Sequence, residues 1–284
     1  MKNWLPMCGQ TGKRRGDYVV KLVISDMDGT LIDKDEVLSE KAVNIVHALK
    51  EKGIMFTIAT GRVECMADKY IKKLGITIPY IACNGVTIVD QKRVLRRNKI
   101  PLKGLRNILE QADRMNMSLV YSIDGKETVY KVTPWIMAQR ETFHRYFDTH
   151  IFTEKEWESL YIDKLMIMDD VREGAIGILE ELCKKLPDMY GFTRYTNKAV
   201  EIVNKNSTKA SALQILSQHL DIDLEDILAI GDHQNDIEML REAGVGVAVG
   251  NATEEAKKAA DFVAQGRCID GVEEAVKKYC HILV

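Results

Sequence analysis

Nothing in the chain approaches the roughly 20-residue apolar run that a membrane-spanning helix needs, so no membrane partner is expected. The six cysteines (Cys8, Cys65, Cys83, Cys183, Cys268 and Cys280) include no CxxC pair, so neither a zinc knuckle nor a redox motif is indicated. Free or buried thiols in a reducing cytoplasm are the expected reading. With a net charge of −2, no bulk positive charge is available to drive binding to nucleic acid. No internal repeat or low-complexity tract stands out. Residues 1–17 also lack the apolar centre of a signal peptide. They read as a disordered extension, or as translated sequence ahead of the true start. Within them Gly9-Gln10-Thr11-Gly12-Lys13 looks faintly like a phosphate loop, but the spacing is wrong and no strand precedes it.

What remains is an ordinary globular composition, 46% apolar and 29% charged over 284 residues. That length suits one large domain or two modest ones. The most informative segment is Val19 to Leu31. A mostly apolar run, Val19-Val20-Lys21-Leu22-Val23-Ile24, stops at Ser25-Asp26-Met27-Asp28-Gly29-Thr30-Leu31. The run reads as a buried strand of a parallel sheet, and open α/β sheets place their chemistry just beyond the carboxyl ends of strands. Two carboxylates held there repel each other unless a cation or a shared proton relieves them.

Alternation of strand and helix continues. Ser39 can cap a helix over about 40–52, with Ala42, Val43, Ile45, Val46 and Leu49 as its apolar stripe and Gly53 at its end. A strand over 54–59 runs into Thr60-Gly61-Arg62, a helix covers about 63–74, and a further strand leads to Asn84-Gly85. This order predicts a doubly wound parallel sheet of the Rossmann type. From Val86 the pattern changes to a hairpin around Asp90-Gln91 and then to mixed helices and strands, including 118–122 and 164–168. Residues 87–195, which contain Trp135 and Trp157, therefore read as an inserted α+β domain, leaving 18–86 and 196–284 as the core. The alternation resumes with a helix over about 208–219, a strand at 227–230, a helix after Asn235, a strand at 245–249 and a helix over 253–260.

Four polar clusters lie past strands or at helix starts: Asp26/Asp28/Thr30, Thr60/Gly61, Lys209, and Asp232/Asn235/Asp236. With these in order, the chain resembles the haloacid dehalogenase-like phosphohydrolase superfamily. Asn84-Gly85, Val249-Gly250-Asn251-Ala252, Ala260-Asp261 and Asp270-Gly271-Val272 make it similar, within that superfamily, to the Cof-type sugar-phosphate phosphatases. The resemblance covers about 19–284. It implies an inserted cap over the site, an Mg²⁺ cofactor, and a small phosphate ester as substrate, most plausibly a sugar phosphate, with pyridoxal phosphate, nucleotides and a flavin-precursor phosphate also open. Asp26 would be the nucleophile and Asp28 the general acid/base. Asp26, the backbone carbonyl of Asp28 and Asp232 would hold the metal, with Asp236 in support. Thr60, Gly61 and Lys209 would bind the phosphoryl group, with Asn84 and Asn235 beside it.

Blander readings exist for each residue. Asp26 and Asp28 could be turn-formers after a strand, Thr60 a helix cap, and Asp232 and Asp236 carboxylates favoured at a helix start. Lys209 is harder to dismiss. If Ser207 caps its helix, the lysine charge opposes the macrodipole with no local return. His233 reads as a spectator, and Arg62 either pairs with an acid of the fold or touches substrate. Arg140, His144 and Arg145 form a basic cluster whose plain reading is a solvated helix face. A phosphomutase of the same superfamily and a non-catalytic sugar-phosphate sensor are the competing functions. Retention of both nucleophile and acid/base disfavours the sensor.

Overall fold

A computed structural model describes residues 19–282 except 34, 92, 144–147, 170–174 and 196–197. The expected extension 1–17, and His144 and Arg145 of the basic cluster, lie outside the described residues. Among those described, no helix is long and apolar enough to cross a membrane.

Leu22–Ser25 is buried on both faces, as its apolar run demands. It lies between Ile227–Gly231 and Met55–Ile58, parallel to both. Val245–Ala248 and Phe262–Val263 extend the parallel sheet beyond Ile227–Gly231 to five strands. Helices Glu40–Glu51, Lys209–Leu220 and Ile269–Cys280 contribute to one hydrophobic cluster with the sheet. Ser39 caps the first of these helices, its side chain accepting from the Ala42 N–H, as the sequence indicates. Tyr80–Ala82 departs from a simple parallel continuation. It meets the sheet through one parallel bridge, Ala59 with Ile81, and pairs antiparallel with Thr87–Asp90. The hairpin of Thr87–Asp90 and Arg93–Arg97 follows, and Ile88 and Val89 pack into the same cluster as the parallel sheet.

A second sheet has six strands in the order Tyr190–Tyr195, Ala199–Asn204, Lys164–Met168, Ser118–Ile123, Lys126–Val129, Asp148–Thr149. One face packs on helices Arg106–Arg114 and Ala175–Cys183 in its own hydrophobic cluster. The strand pairing of Ala199–Asn204 thus belongs to this sheet, and the chain passes from it directly to Lys209. The other face looks onto the carboxyl ends of the parallel strands.

Candidate active site

Adjacent parallel strands fix the centre. Leu22–Ser25 and Ile227–Gly231 run side by side with Ser25 opposite Ile230, and the Asp26 N–H donates to the Ile230 carbonyl at 2.8 Å. Both chains then leave the sheet together, which brings Asp26 beside Asp232 although 205 positions separate them (232 − 26 − 1). Asp26 is only 5% exposed. Gly29 has φ +86°, and a Cβ there would come within 2.5 Å of Asp232 Oδ2, so this turn admits only glycine.

Lys209 is buried at the first turn of Lys209–Leu220. The cap is Thr208 rather than Ser207: its hydroxyl accepts from the Ser211 N–H, and the Ser211 hydroxyl accepts from the Thr208 N–H. The two residues are equally suited to the role, and only the backbone decides between them. Gly85, at φ +93°, lies so close that a Cβ would reach 2.1 Å from the Thr208 carbonyl, which seats the Asn84 turn against this helix start. The lysine Nζ donates to Asp26 Oδ1 and, at 2.6 Å, to Asp236 Oδ1. Burial works against its charge, but Asp236 and Asp26 outweigh burial and raise its pKa.

Asp236 is completely buried and holds the loop together. Its Oδ2 accepts from the backbone N–H groups of Asp232 and His233, each at 3.0 Å. Thr30 Oγ1 donates to Asp232 Oδ1 at 3.0 Å. Oxygens of Asp26, Asp232 and Asp236 lie within 4.8 Å of one another. Burial pushes Asp26 well above the usual carboxylate range; Lys209 opposes this, and Asp236 and Asp232 add to it. Burial and then Asp236 raise Asp232 as well. Three carboxylates facing one ammonium leave excess negative charge in a desolvated place. An all-oxygen donor set of that kind fits a hard divalent cation. Asp236 already accepts three hydrogen bonds, which makes it a support of the site more than an open ligand.

Asp28 lines the same cavity but is held by a different partner. Arg62 grips its carboxylate, Nε to Oδ2 at 2.9 Å and Nη2 to Oδ1 at 2.5 Å, while the aspartate side chain remains 49% exposed. Arg62 is itself buried against Glu36 and Tyr70, at 3.2 Å from Glu36 Oε1 and 5.2 Å from the tyrosine ring centroid. Of the two readings open for Arg62, the ion pair is realised, and the acid is Asp28.

Thr60 is buried after Met55–Ile58. It does not cap the following helix, which starts at Glu64 behind Val63. Its Oγ1 accepts the Arg62 N–H at 3.1 Å and keeps its own proton to donate. Gly61 lies against Asn84, where a Cβ would be 3.2 Å from Asn84 Oδ1. Asn84 Oδ1 accepts from Asn235 Nδ2 at 2.9 Å, and Asn84 Nδ2 donates to Glu201 Oε1 at 2.5 Å. Asn251 ties Gly29 to Cys268 from behind, Nδ2 donating to the Gly29 carbonyl and Oδ1 accepting from the Cys268 N–H. All nine residues singled out from the sequence therefore meet at one end of the parallel sheet, with the Asp28 carboxylate held by Arg62 at the cavity wall rather than by Lys209.

A cavity of about 380 Å³ opens above Asp26, Asp28, Gly61, Asp232 and Asn235, roofed by the second sheet. Glu127, Lys164, Met166, Met168, Glu201 and Trp135 line it from that side. The strand Lys164–Met168 is legible in the sequence, but its inward face is not. The signal was the alternation of Lys164, Met166 and Met168 with Leu165 and Ile167.

A family model described as haloacid dehalogenase-like hydrolase matches residues 23–276. The chain belongs to that family. It is 29% identical over 276 residues to the 5-amino-6-(5-phospho-D-ribitylamino)uracil phosphatase YcsE of Bacillus subtilis, covering 94% of this chain and 98% of that one. It is 27% identical over 263 residues to a phosphoglycolate phosphatase of Methanothermobacter thermautotrophicus, covering 92% and 99%. Among solved structures, BT1666 of Bacteroides thetaiotaomicron, from a study of haloalkanoate-superfamily phosphatases, aligns with TM-score 0.77 and 26% identity over 96% of this chain and all of that one. This haloacid dehalogenase-like chain is accordingly an enzyme of the phosphatase kind, with the mixed α/β architecture read from its sequence.

Proposed function

We propose that the chain is an Mg²⁺-dependent phosphatase that hydrolyses small phosphorylated metabolites through an aspartyl-phosphate. The observation that carries this reading is the division of labour between two carboxylates two residues apart. Asp26 is buried with Lys209 among the acidic residues, and Asp28 is half-exposed toward the cavity on Arg62.

Asp26 attacks phosphorus and the bond to the ester oxygen breaks. Asp28 gives its proton to the departing oxygen, so the leaving group departs as an alcohol. Asp28 then takes a proton from water, the hydroxyl attacks phosphorus, and Asp26 is released with inorganic phosphate. Arg62 must yield at least one oxygen of Asp28 for this, and its grip fixes the side from which the acid approaches. Lys209 and the Thr60 hydroxyl bind the phosphoryl oxygens, with Gly61, Asn84 and Asn235 shaping their seat. Asp26, the Asp28 backbone carbonyl and Asp232 would hold Mg²⁺ with Asp236 in support. Once bound, the ion supplies positive charge against the anionic ester.

We further propose that the parallel-sheet body is the catalytic core and the second sheet a cap that chooses the leaving group; relative to the expected bounds of 18–86 and 196–284 for the core and 87–195 for the cap, Ile88 and Val89 pack with the core and Ala199–Asn204 pairs within the cap sheet. The enzyme would work in the reducing cytoplasm, in keeping with the free state of Cys65, Cys83, Cys183, Cys268 and Cys280. Phosphate release from a panel of phosphorylated sugars, nucleotides and pyridoxal 5′-phosphate, with Mg²⁺ and with a chelator, tests the reading. Release should require the metal. Folded, metal-loaded protein that releases phosphate from none of them would overturn it.

A further inference from the structure

The roof of the cavity sorts by strand parity into a charged part and an apolar part. On Lys164–Met168, Leu165 and Ile167 are fully buried in the second sheet's own cluster, so Lys164, Met166 and Met168 face the cavity. On the neighbouring strand Val120 does the same between Leu119 and Tyr121. Met166 pairs directly with Val120 on one side and Glu201 on the other.

The charged groups are already engaged at the end nearest Gly61. Lys164 Nζ donates to the Gly61 carbonyl at 3.1 Å and lies 3.4 Å from Glu201 and 3.7 Å from Glu127. Glu201 also accepts from Asn84. The remainder of the roof is Val120, Met166, Met168 and the half-buried Trp135, which packs with Met168 on a small apolar cluster of Val120, Val129 and Ile136. Met66, from the helix after Thr60, also lines the cavity.

A free hexose carries hydroxyls around its whole ring. Against Val120, Met166, Met168 and Trp135 those hydroxyls would lose water and gain no partner. A flat aromatic ring loses nothing there and gains contact with indole and thioether. Resting on the phosphatase reading, we propose that the cap-side wall selects phosphate esters whose leaving group ends in an aromatic or heteroaromatic ring. The ring would sit on Trp135, Met166 and Met168, and the polar link to the phosphate would pass Lys164 and Glu201.

The test compares kcat/KM for pyridoxal 5′-phosphate and flavin mononucleotide with that for glucose 6-phosphate and ribose 5-phosphate, in wild type, Trp135→Ala and Trp135→Phe. Ring-bearing esters should lead by at least about tenfold in wild type. Trp135→Ala should collapse that ratio about tenfold, through KM more than kcat, and Trp135→Phe should restore most of it. Equal or better turnover of the sugar phosphates, or a ratio indifferent to Trp135→Ala, overturns the proposal and leaves the phosphatase standing. Release from none of the four, nor from acetyl phosphate, would instead count against the phosphatase. Calorimetric binding of the same four esters to the Asp26→Asn protein then decides the wall on its own. Tighter binding of the ring-bearing pair supports the proposal, and equal binding overturns it.

Discussion

The floor and the roof of one cavity are built on opposite principles. The floor is polar and buried, and its charges are cross-linked: Lys209 joins Asp26 to Asp236, Asp236 braces the Asp232 loop, and Thr30 holds Asp232. Each of these groups is expensive to desolvate alone and is tolerable only in company. The roof spends its charges on one another at one end, where Lys164 meets Glu201 and Glu127, and presents thioethers and an indole over the rest. A phosphate group is the same in every substrate, so the floor can be rigid and charged. The leaving group varies, and it is read by shape and polarity. Floor substitutions should therefore lower turnover of every ester alike, whereas roof substitutions should reorder them.

The largest expected effect is at the floor's centre. Asp26→Asn keeps the shape but offers phosphorus an amide, so turnover of all esters should fall by about 10⁴-fold or more, about 5.5 kcal/mol of transition-state stabilisation. Steady-state phosphate release checks it. Substantial activity in a folded variant would sink the aspartyl-phosphate mechanism. Next comes Lys209→Met. Removing the ammonium strands Asp26 and Asp236 in a buried place, which should cost about 3–5 kcal/mol of stability without metal. Urea unfolding with and without Mg²⁺ measures it, and the metal should recover part of the loss. An unchanged midpoint without metal would return the lysine to a bystander.

Much of the floor is legible in the sequence and little of the roof is, for a physical reason. Asp26, Thr60, Asn84 and Asp232 each follow an apolar strand of their own, and parallel strands all end at the same edge of a sheet. Finding the strands therefore finds the site. Roof residues come from Val120, Glu127, Lys164, Met166 and Glu201, and their meeting depends on antiparallel register, which alternation alone does not give. Local choices between equivalent neighbours were also hidden. Ser207 and Thr208 could both cap a helix, and Thr60 could have done so at its own, yet Thr208 is the cap and the Thr60 hydroxyl turns to the Arg62 N–H. The partner of Arg62 could not be read from spacing, because Asp28 and Glu36 both lie in the preceding loop, and the guanidinium reaches both.

Asp28→Asn sits between floor and roof in effect. It should lower turnover about 10²-fold, the usual lower range for losing a general acid–base group. The loss should shrink for esters whose leaving oxygen needs no proton, such as 4-nitrophenyl phosphate. Equal losses for good and poor leaving groups would deny Asp28 the role of acid.

The smallest effect tests the roof's tolerance. Met166→Leu conserves volume and apolarity, so stability should change by less than about 1.5 kcal/mol, readable as a small shift in Tm. Leucine still covers the cavity but lacks the thioether's flexibility, so the kcat/KM ratio of a ring-bearing ester to a sugar phosphate should move by less than about threefold. A uniform loss across all esters on so mild a change would mean that Met166 shapes the phosphate seat through Glu201, its cross-strand neighbour. The division between a floor that binds phosphate and a roof that ranks leaving groups would then fail at the one strand pair where the two touch.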